Sequence, residues 1–111
     1  MTTPRTIAEQ QLDRYNARDL DGFCGLFHDD AELWDLPSMS LRAKGMAAIR
    51  AIYTDRFKSV DLHCVVHATM DLGPVAIDRE TVTGIPQGTL EAIALYHVED
   101  GLIRRVFFVR G

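Results

Sequence analysis

Near Val60 the hydrophobic period of this chain changes from helical to alternating, and that change limits what it can fold into. Downstream, Val60, Leu62, Cys64, Val66, Ala68 and Met70 alternate with Asp61, His63, Val65, His67, Thr69 and Asp71. Alternation sends successive side chains to opposite faces, so the stretch predicts a long strand with one apolar face. A turn at Asp71-Leu72-Gly73-Pro74 leads to a second strand over 75–83, and residues 84–88 turn again. A third strand over 89–98 puts Leu90, Ala92, Ala94, Tyr96 and Val98 on one side. Asp100 and Gly101 are a hairpin signal, because a two-residue primed turn needs positive φ. Residues 102–109 make the last strand.

Upstream the spacing is helical. Thr6-Ile7-Ala8-Glu9 reads as a capping box, in which the threonine hydroxyl takes a free helical N–H and the glutamate reaches back. The helix that follows carries Ala8, Leu12 and Tyr15 on one face, with Gln11 beside them as either a flank or a pocket-lining residue. Asp19 caps a second helix bearing Leu20, Phe23, Leu26 and Phe27, kept short by Gly22 and Gly25. A strand over 31–36 directs Leu33 and Asp35 to one face and Glu32, Trp34 and Leu36 to the other. Residues 36–44 read as a loop with at most a short strand. Gly45 introduces a third helix over 46–57, with Met46, Ile49, Ile52, Tyr53 and Phe57 at helical spacing. Three helices on one side of such a sheet must cover its apolar face, an α+β layout.

Bulk properties exclude several classes of function. At 111 residues the chain is one domain, 1–111, and buries enough surface for a core without staples. The net charge is −4 and the basic residues are scattered, so nucleic-acid binding is not expected. The N-terminal MTTPRTIAEQQ has no apolar run, and no stretch reaches transmembrane length; no membrane partner and a cytoplasmic location are expected. Cys24 and Cys64 lie among apolar residues outside any metal spacing and read as small hydrophobes. His63 and His67 would stand about 13 Å apart on a strand, too far for one ion. No Gly-rich phosphate loop or nucleophilic triad is present. Neither a metal nor another cofactor is expected.

Layout and local motifs together resemble the nuclear transport factor 2-like, or SnoaL-like, superfamily, with ketosteroid isomerase the nearest detailed match. The residues carrying the resemblance are Asn16-Ala17-x-Asp19-Leu20-Asp21-Gly22, Leu26-Phe27-x-Asp29-Asp30-Ala31, Asp35, and Gly45-x-Ala47-Ala48-Ile49-Arg50-x-x-Tyr53. It covers about residues 7–108. It implies a cone: a curved antiparallel sheet wrapped around three N-terminal helices and a hydrophobic pocket, commonly paired as a homodimer through the outer sheet face. His97, alternating with Ile93 and Leu95, suits such a surface.

Carried over by position, the resemblance places Asp35 where the isomerase keeps its proton-shuttling aspartate and Tyr53 on a pocket tyrosine. The two oxyanion-hole donors fall on Gln11 and Ala94, so neither acidic donor is present. Limonene epoxide hydrolase, of the same fold, uses an aspartate–arginine–aspartate trio. Arg79 stands for its arginine, while the aspartate positions fall on Thr81 and Phe108. That alignment turns Arg79 and Thr81 inward; a one-residue shift would instead turn Asp78 and Glu80 inward.

The candidate site is therefore Asp35 as catalytic residue, with Gln11, Tyr15, Phe27, Tyr53, Arg79, Ala94, Tyr96 and Phe108 as ligand-binding residues. A carboxylate aimed at an apolar chamber has its pKa raised by burial and becomes a better base near neutral pH. The expected partner is a small apolar molecule. The expected chemistry is isomerase- or lyase-type proton transfer by Asp35 on a carbonyl-type substrate. A non-catalytic ligand-binding or dimerisation domain and an epoxide hydrolase-like hydrolase are the alternatives.

Overall fold

The computed structural model describes residues 2–111. Its first helix, α1 (Pro4–Ala17), starts one turn earlier than the capping box predicts. Thr3 is the cap: its hydroxyl accepts the Thr6 N–H at 3.1 Å, and Pro4 occupies the first turn, where its missing N–H costs nothing. Asp19 caps α2 (Leu20–Cys24) as expected, accepting the Gly22 N–H at 3.0 Å. Phe27, expected to continue that helix, instead opens β1 (Phe27–Leu36).

The link after β1 contains a true strand, β2 (Ser40–Lys44), pairing Trp34 with Leu41 and Asp35 with Ser40. Of its residues only Ala43 is buried, which is why its hydrophobic signal is weak. Then come α3 (Met46–Arg56), β3 (His63–Leu72), β4 (Val75–Ile85), β5 (Gly88–Glu99) and β6 (Leu102–Arg110). Asp100 (φ 54°) and Gly101 (φ 78°) both take positive φ, as the β5–β6 hairpin requires.

The six strands form one curved, unclosed sheet in the order β2-β1-β6-β5-β4-β3, and with the three helices they make the expected α+β fold. The sheet is mixed, not purely antiparallel: β1 runs parallel to β6, with Asp35 opposite Phe108. Local patterning carries no record of a pairing between segments so far apart in the chain.

β3 also departs from its alternation. Val60 lies outside the strand, and the register shifts between Val66 and Ala68. That bulge reverses the phase, so Ala68, Met70 and Leu72 stand opposite Arg79, Ile77 and Val75 on the outer face, leaving Met70 69% and Leu72 83% exposed. Just before β3, the 59–62 segment crosses the end of β4. A Cβ added at Gly84, which has φ +77°, would stand 2.2 Å from the Asp61 carbonyl oxygen.

The core lies between the helices and the concave face of the sheet. Phe23, Leu33, Ile49, Leu62, Ile103 and Val106 are fully buried there, and a side chain such as Phe23 contributes about 2–3 kcal/mol by leaving water. Around Phe23 pack Tyr15, Phe27, Tyr53 and Phe57, with the Phe23 and Tyr53 ring centroids 4.4 Å apart. Among the described residues no helix is long and apolar enough to cross a membrane.

Candidate functional site

Between this aromatic cluster and the sheet lies a cavity of about 50 Å³. That is space for a few waters or a small fragment, well below the volume of a typical drug-sized site. Six of the expected ligand-binding residues line it: Gln11 and Tyr15 from α1, Phe27 from β1, Tyr53 from α3, Tyr96 from β5 and Phe108 from β6. The aromatic side chains expected to frame the hollow therefore also narrow it. Gln11 is buried at 6% exposure, with its amide nitrogen 3.4 Å from the Ala8 carbonyl.

Two expected residues lie elsewhere. Ala94 is fully buried on the inner face of β5 opposite Asp78, but it does not line the cavity. Arg79 lies on the outer face, where its guanidinium is 3.5 Å from Glu91. The physical reason is the phase of β4. Ala76, Asp78, Glu80 and Val82 are its buried series, so Arg79 and Thr81 face away. Thr81 hydrogen-bonds to Glu91, and His67 lies 2.7 Å from its hydroxyl. The arginine and the Thr81 position of the epoxide hydrolase comparison thus sit on the opposite side of the sheet from Phe108.

The inverted phase brings two carboxyls inward. Asp78, 2% exposed, accepts from Arg5 of α1 at 2.6 Å, and Arg5 also binds Asp71 of β3 at 2.7 Å. This ties the start of α1 to the sheet. Burial pushes the Asp78 carboxyl above its ordinary range, and the hydrogen bond and charge of Arg5 offset only part of that.

Glu80, 9% exposed, lines the cavity itself, and the Cys64 thiol donates to its Oε2 at 3.0 Å. Desolvation raises its pKa. The thiol hydrogen bond and the charges of Arg110 and Arg56 work against that rise, while Asp78 adds to it. Burial, followed by the neighbouring Glu80, also pushes the Cys64 thiol up. Cys64 is therefore a neutral hydrogen-bond donor rather than a nucleophile.

Asp35 shares the inner face of β1 with Leu33, as the alternation requires, but it stands at the rim. Arg42 of β2 holds it at 3.0 Å, and Arg110 of β6 pairs with the other carboxylate oxygen. Both arginines line the cavity. Burial alone would raise the Asp35 pKa. The hydrogen bonds from Arg42 and Arg110, with their charges, outweigh it and bring the carboxyl below its ordinary range. Stabilising the charged form makes Asp35 a weaker base, the reverse of the effect expected from burial.

Glu80, inward only under the one-residue shift of β4, and Cys64, Arg42, Arg56 and Arg110 line the cavity outside the expected set. Arg56, at the end of α3, reaches the cavity wall and donates to the Tyr15 hydroxyl at 3.1 Å. For Glu80 a signal existed: Ala76 and Val82 bracket Asp78 and Glu80 at even spacing and mark the inner face. The arrangement combines an acid of raised pKa deep in the hollow, phenols and a thiol as neutral donors, and an arginine-rich rim. It can hold one oxygen-bearing group of a small molecule and exchange a proton with it.

The profile of the SnoaL-like domain family matches residues 8–106. Among solved structures, an uncharacterised cystatin-fold protein from Novosphingobium aromaticivorans is similar, with a TM-score of 0.89 and 22% identity over 99% of this chain and 100% of that one. A proposed ketosteroid isomerase from Kribbella flavida reaches 0.83 at 21% identity, over 97% and 77% of the two chains. A proposed polyketide cyclase from Sinorhizobium meliloti reaches 0.78 at 21% identity, over 92% of each. At such identities these neighbours share the fold. No curated protein matches the chain significantly. The family match spans nearly the whole domain, and the neighbours have the same curved sheet over helices; the chain belongs to the SnoaL-like family.

Proposed function

We propose that the protein binds a small, largely apolar molecule with a carbonyl-type group in the hollow under the sheet, and that any proton moved on that molecule passes through Glu80. The observation that carries this reading is a carboxyl of raised pKa on the wall of an aromatic-lined cavity. An acid whose pKa is drawn toward neutrality can both donate and accept, as isomerase- and lyase-type steps require. Asp35, the candidate by position, then serves to hold Arg42 and Arg110 at the rim. Its ion pairs favour a second reading, a binding domain without turnover.

A thermal-shift screen of short ketones, aldehydes and acids against native protein, Glu80→Gln and Asp35→Asn tests these readings. Hits that stabilise the native protein, with turnover lost in Glu80→Gln, support the first. Hits with no turnover in any variant support the second, and a screen with no hits overturns both.

The protein is further proposed to form a homodimer through the outer sheet face. Met70 lines up with Ile77, Leu95 and Phe107 across the strands there, and Ile93 pairs with Val109, leaving apolar side chains exposed beside His97 and Arg105. Light scattering that gives a monomer mass at micromolar concentration would refute this.

A further inference from the structure

The charges around the cavity do not cancel. Arg42, Arg56 and Arg110 all line it. Against them stand Asp35, held between Arg42 and Arg110, and Glu80, which burial drives toward its neutral form. Even with Glu80 ionised, three cations face two anions, on a chain whose overall charge is −4. The site is locally positive on an acidic protein.

Arg56 is the cation left over. Its partner is the Tyr15 hydroxyl, a neutral acceptor, and among the described residues it joins no ion pair. The remaining donors of its planar fork are of the kind that engages a carboxylate through two hydrogen bonds. Because Tyr15 accepts from Arg56, its own hydroxyl proton is free to be donated elsewhere, and Tyr15 also lines the cavity. Phe23, Phe27, Tyr53 and Phe108 form the wall beside these donors.

We infer that the ligand is a small monoanion, a short carboxylate with an apolar body, whose head takes Arg56 and Tyr15 and whose body lies on the aromatic wall. This rests on the proposal that the hollow binds a small molecule, and it names the polar group that molecule carries. The modest volume favours a short chain over a polycyclic one. A cation would meet Arg56, and a neutral amide would leave it without a counter-charge.

The test uses butyrate, butyramide and pentylammonium, matched in size, with dissociation constants from ligand-observed NMR on the intact protein at neutral pH and low salt. Butyrate should bind at least about tenfold more tightly than butyramide, pentylammonium should not bind, and added salt should weaken butyrate alone. Arg56→Met should erase the butyrate preference. Arg50→Met, which alters a surface arginine paired with Asp21, should preserve it. Should Arg56→Met fail to fold, the comparison of the three probes on native protein still decides. Equal binding of butyrate and butyramide, or tighter binding of pentylammonium, overturns the inference while leaving a ligand-binding hollow. If none of the three binds, the hollow is no binding site and the inference falls with it.

Discussion

Replacing Glu80 with glutamine keeps the shape of the side chain and the carbonyl that accepts from Cys64, and removes only the ability to ionise. Glu80 is 9% exposed and its folded pKa is raised, chiefly by desolvation. A raised folded pKa means that the native state holds a proton more tightly than the unfolded chain. The stability this contributes is complete below the ordinary carboxyl pKa and is lost as pH rises through the folded value. The substituted protein has no such loss. The two proteins should therefore melt together near pH 4 and separate with rising pH, glutamine the more stable. The gap should stop growing once pH passes the folded pKa. Each unit by which that pKa exceeds the unfolded value is worth about 1.4 kcal/mol, or roughly 5–8 °C in a domain of this size. Calorimetry of both proteins across the pH range reads the gap directly, because every other titrating group is common to the pair. A gap that is constant with pH, or that shrinks as pH rises, would show that the fold holds the Glu80 anion at least as well as water does. The acid–base role proposed for it would then be lost.

Asp35→Asn should behave in the opposite sense. The folded pKa of Asp35 is depressed, so its contribution is present above the ordinary carboxyl pKa and is lost as pH falls through the folded value. Acid titration by circular dichroism should show the variant about 1 kcal/mol less stable at neutral pH and level with the native protein in strong acid. Arg5→Met leaves Asp78 buried without its cation and should cost about 2–3 kcal/mol in urea denaturation, less than for a fully buried pair because Arg5 is 22% exposed. Adding Asp78→Leu to it should recover most of that loss, and a double variant as unstable as the single one would refute the pairing. Gly84→Ala meets both a left-handed φ and the Asp61 carbonyl. It should cost about 3 kcal/mol by the same assay, and a loss under 1 kcal/mol would mean that the 59–62 segment yields easily.

Periodicity made most of the architecture legible, because burial acts residue by residue along a strand or helix. The inner series of β5, Leu90 to Val98, and the helical spacing of Ile49 and Tyr53 both appear in the structure as read. The reading fell short where structure depends on distant segments. The parallel pairing of β1 with β6 joins residues some seventy positions apart. The outer half of β3 keeps its alternation of residue types, yet the bulge between Val66 and Ala68 turns Met70 and Leu72 to the face away from the helices. Alternation states that two faces differ; it does not state where a bulge exchanges them.

The site was harder to read because its chemistry depends on which face of β4 turns inward, and one residue of phase exchanges the whole set. Arg79 inward would have put an arginine in the hollow and left Asp78 and Glu80 in water. The observed phase buries both carboxyls, and each has to be accommodated separately. Asp78 is answered by Arg5 from α1. Among the described residues Glu80 has the Cys64 thiol and the more distant charges of Arg110 and Arg56, so its charged form remains the more poorly supported of the two. Asp35 shows the converse. Its face was correctly read from β1, but the two arginines that cancel the effect of burial come from β2 and β6, beyond the reach of any local pattern. What decides the acid–base character of each carboxyl is thus the partner that tertiary structure supplies. On that ground the proposed proton transfer is assigned to Glu80 rather than Asp35.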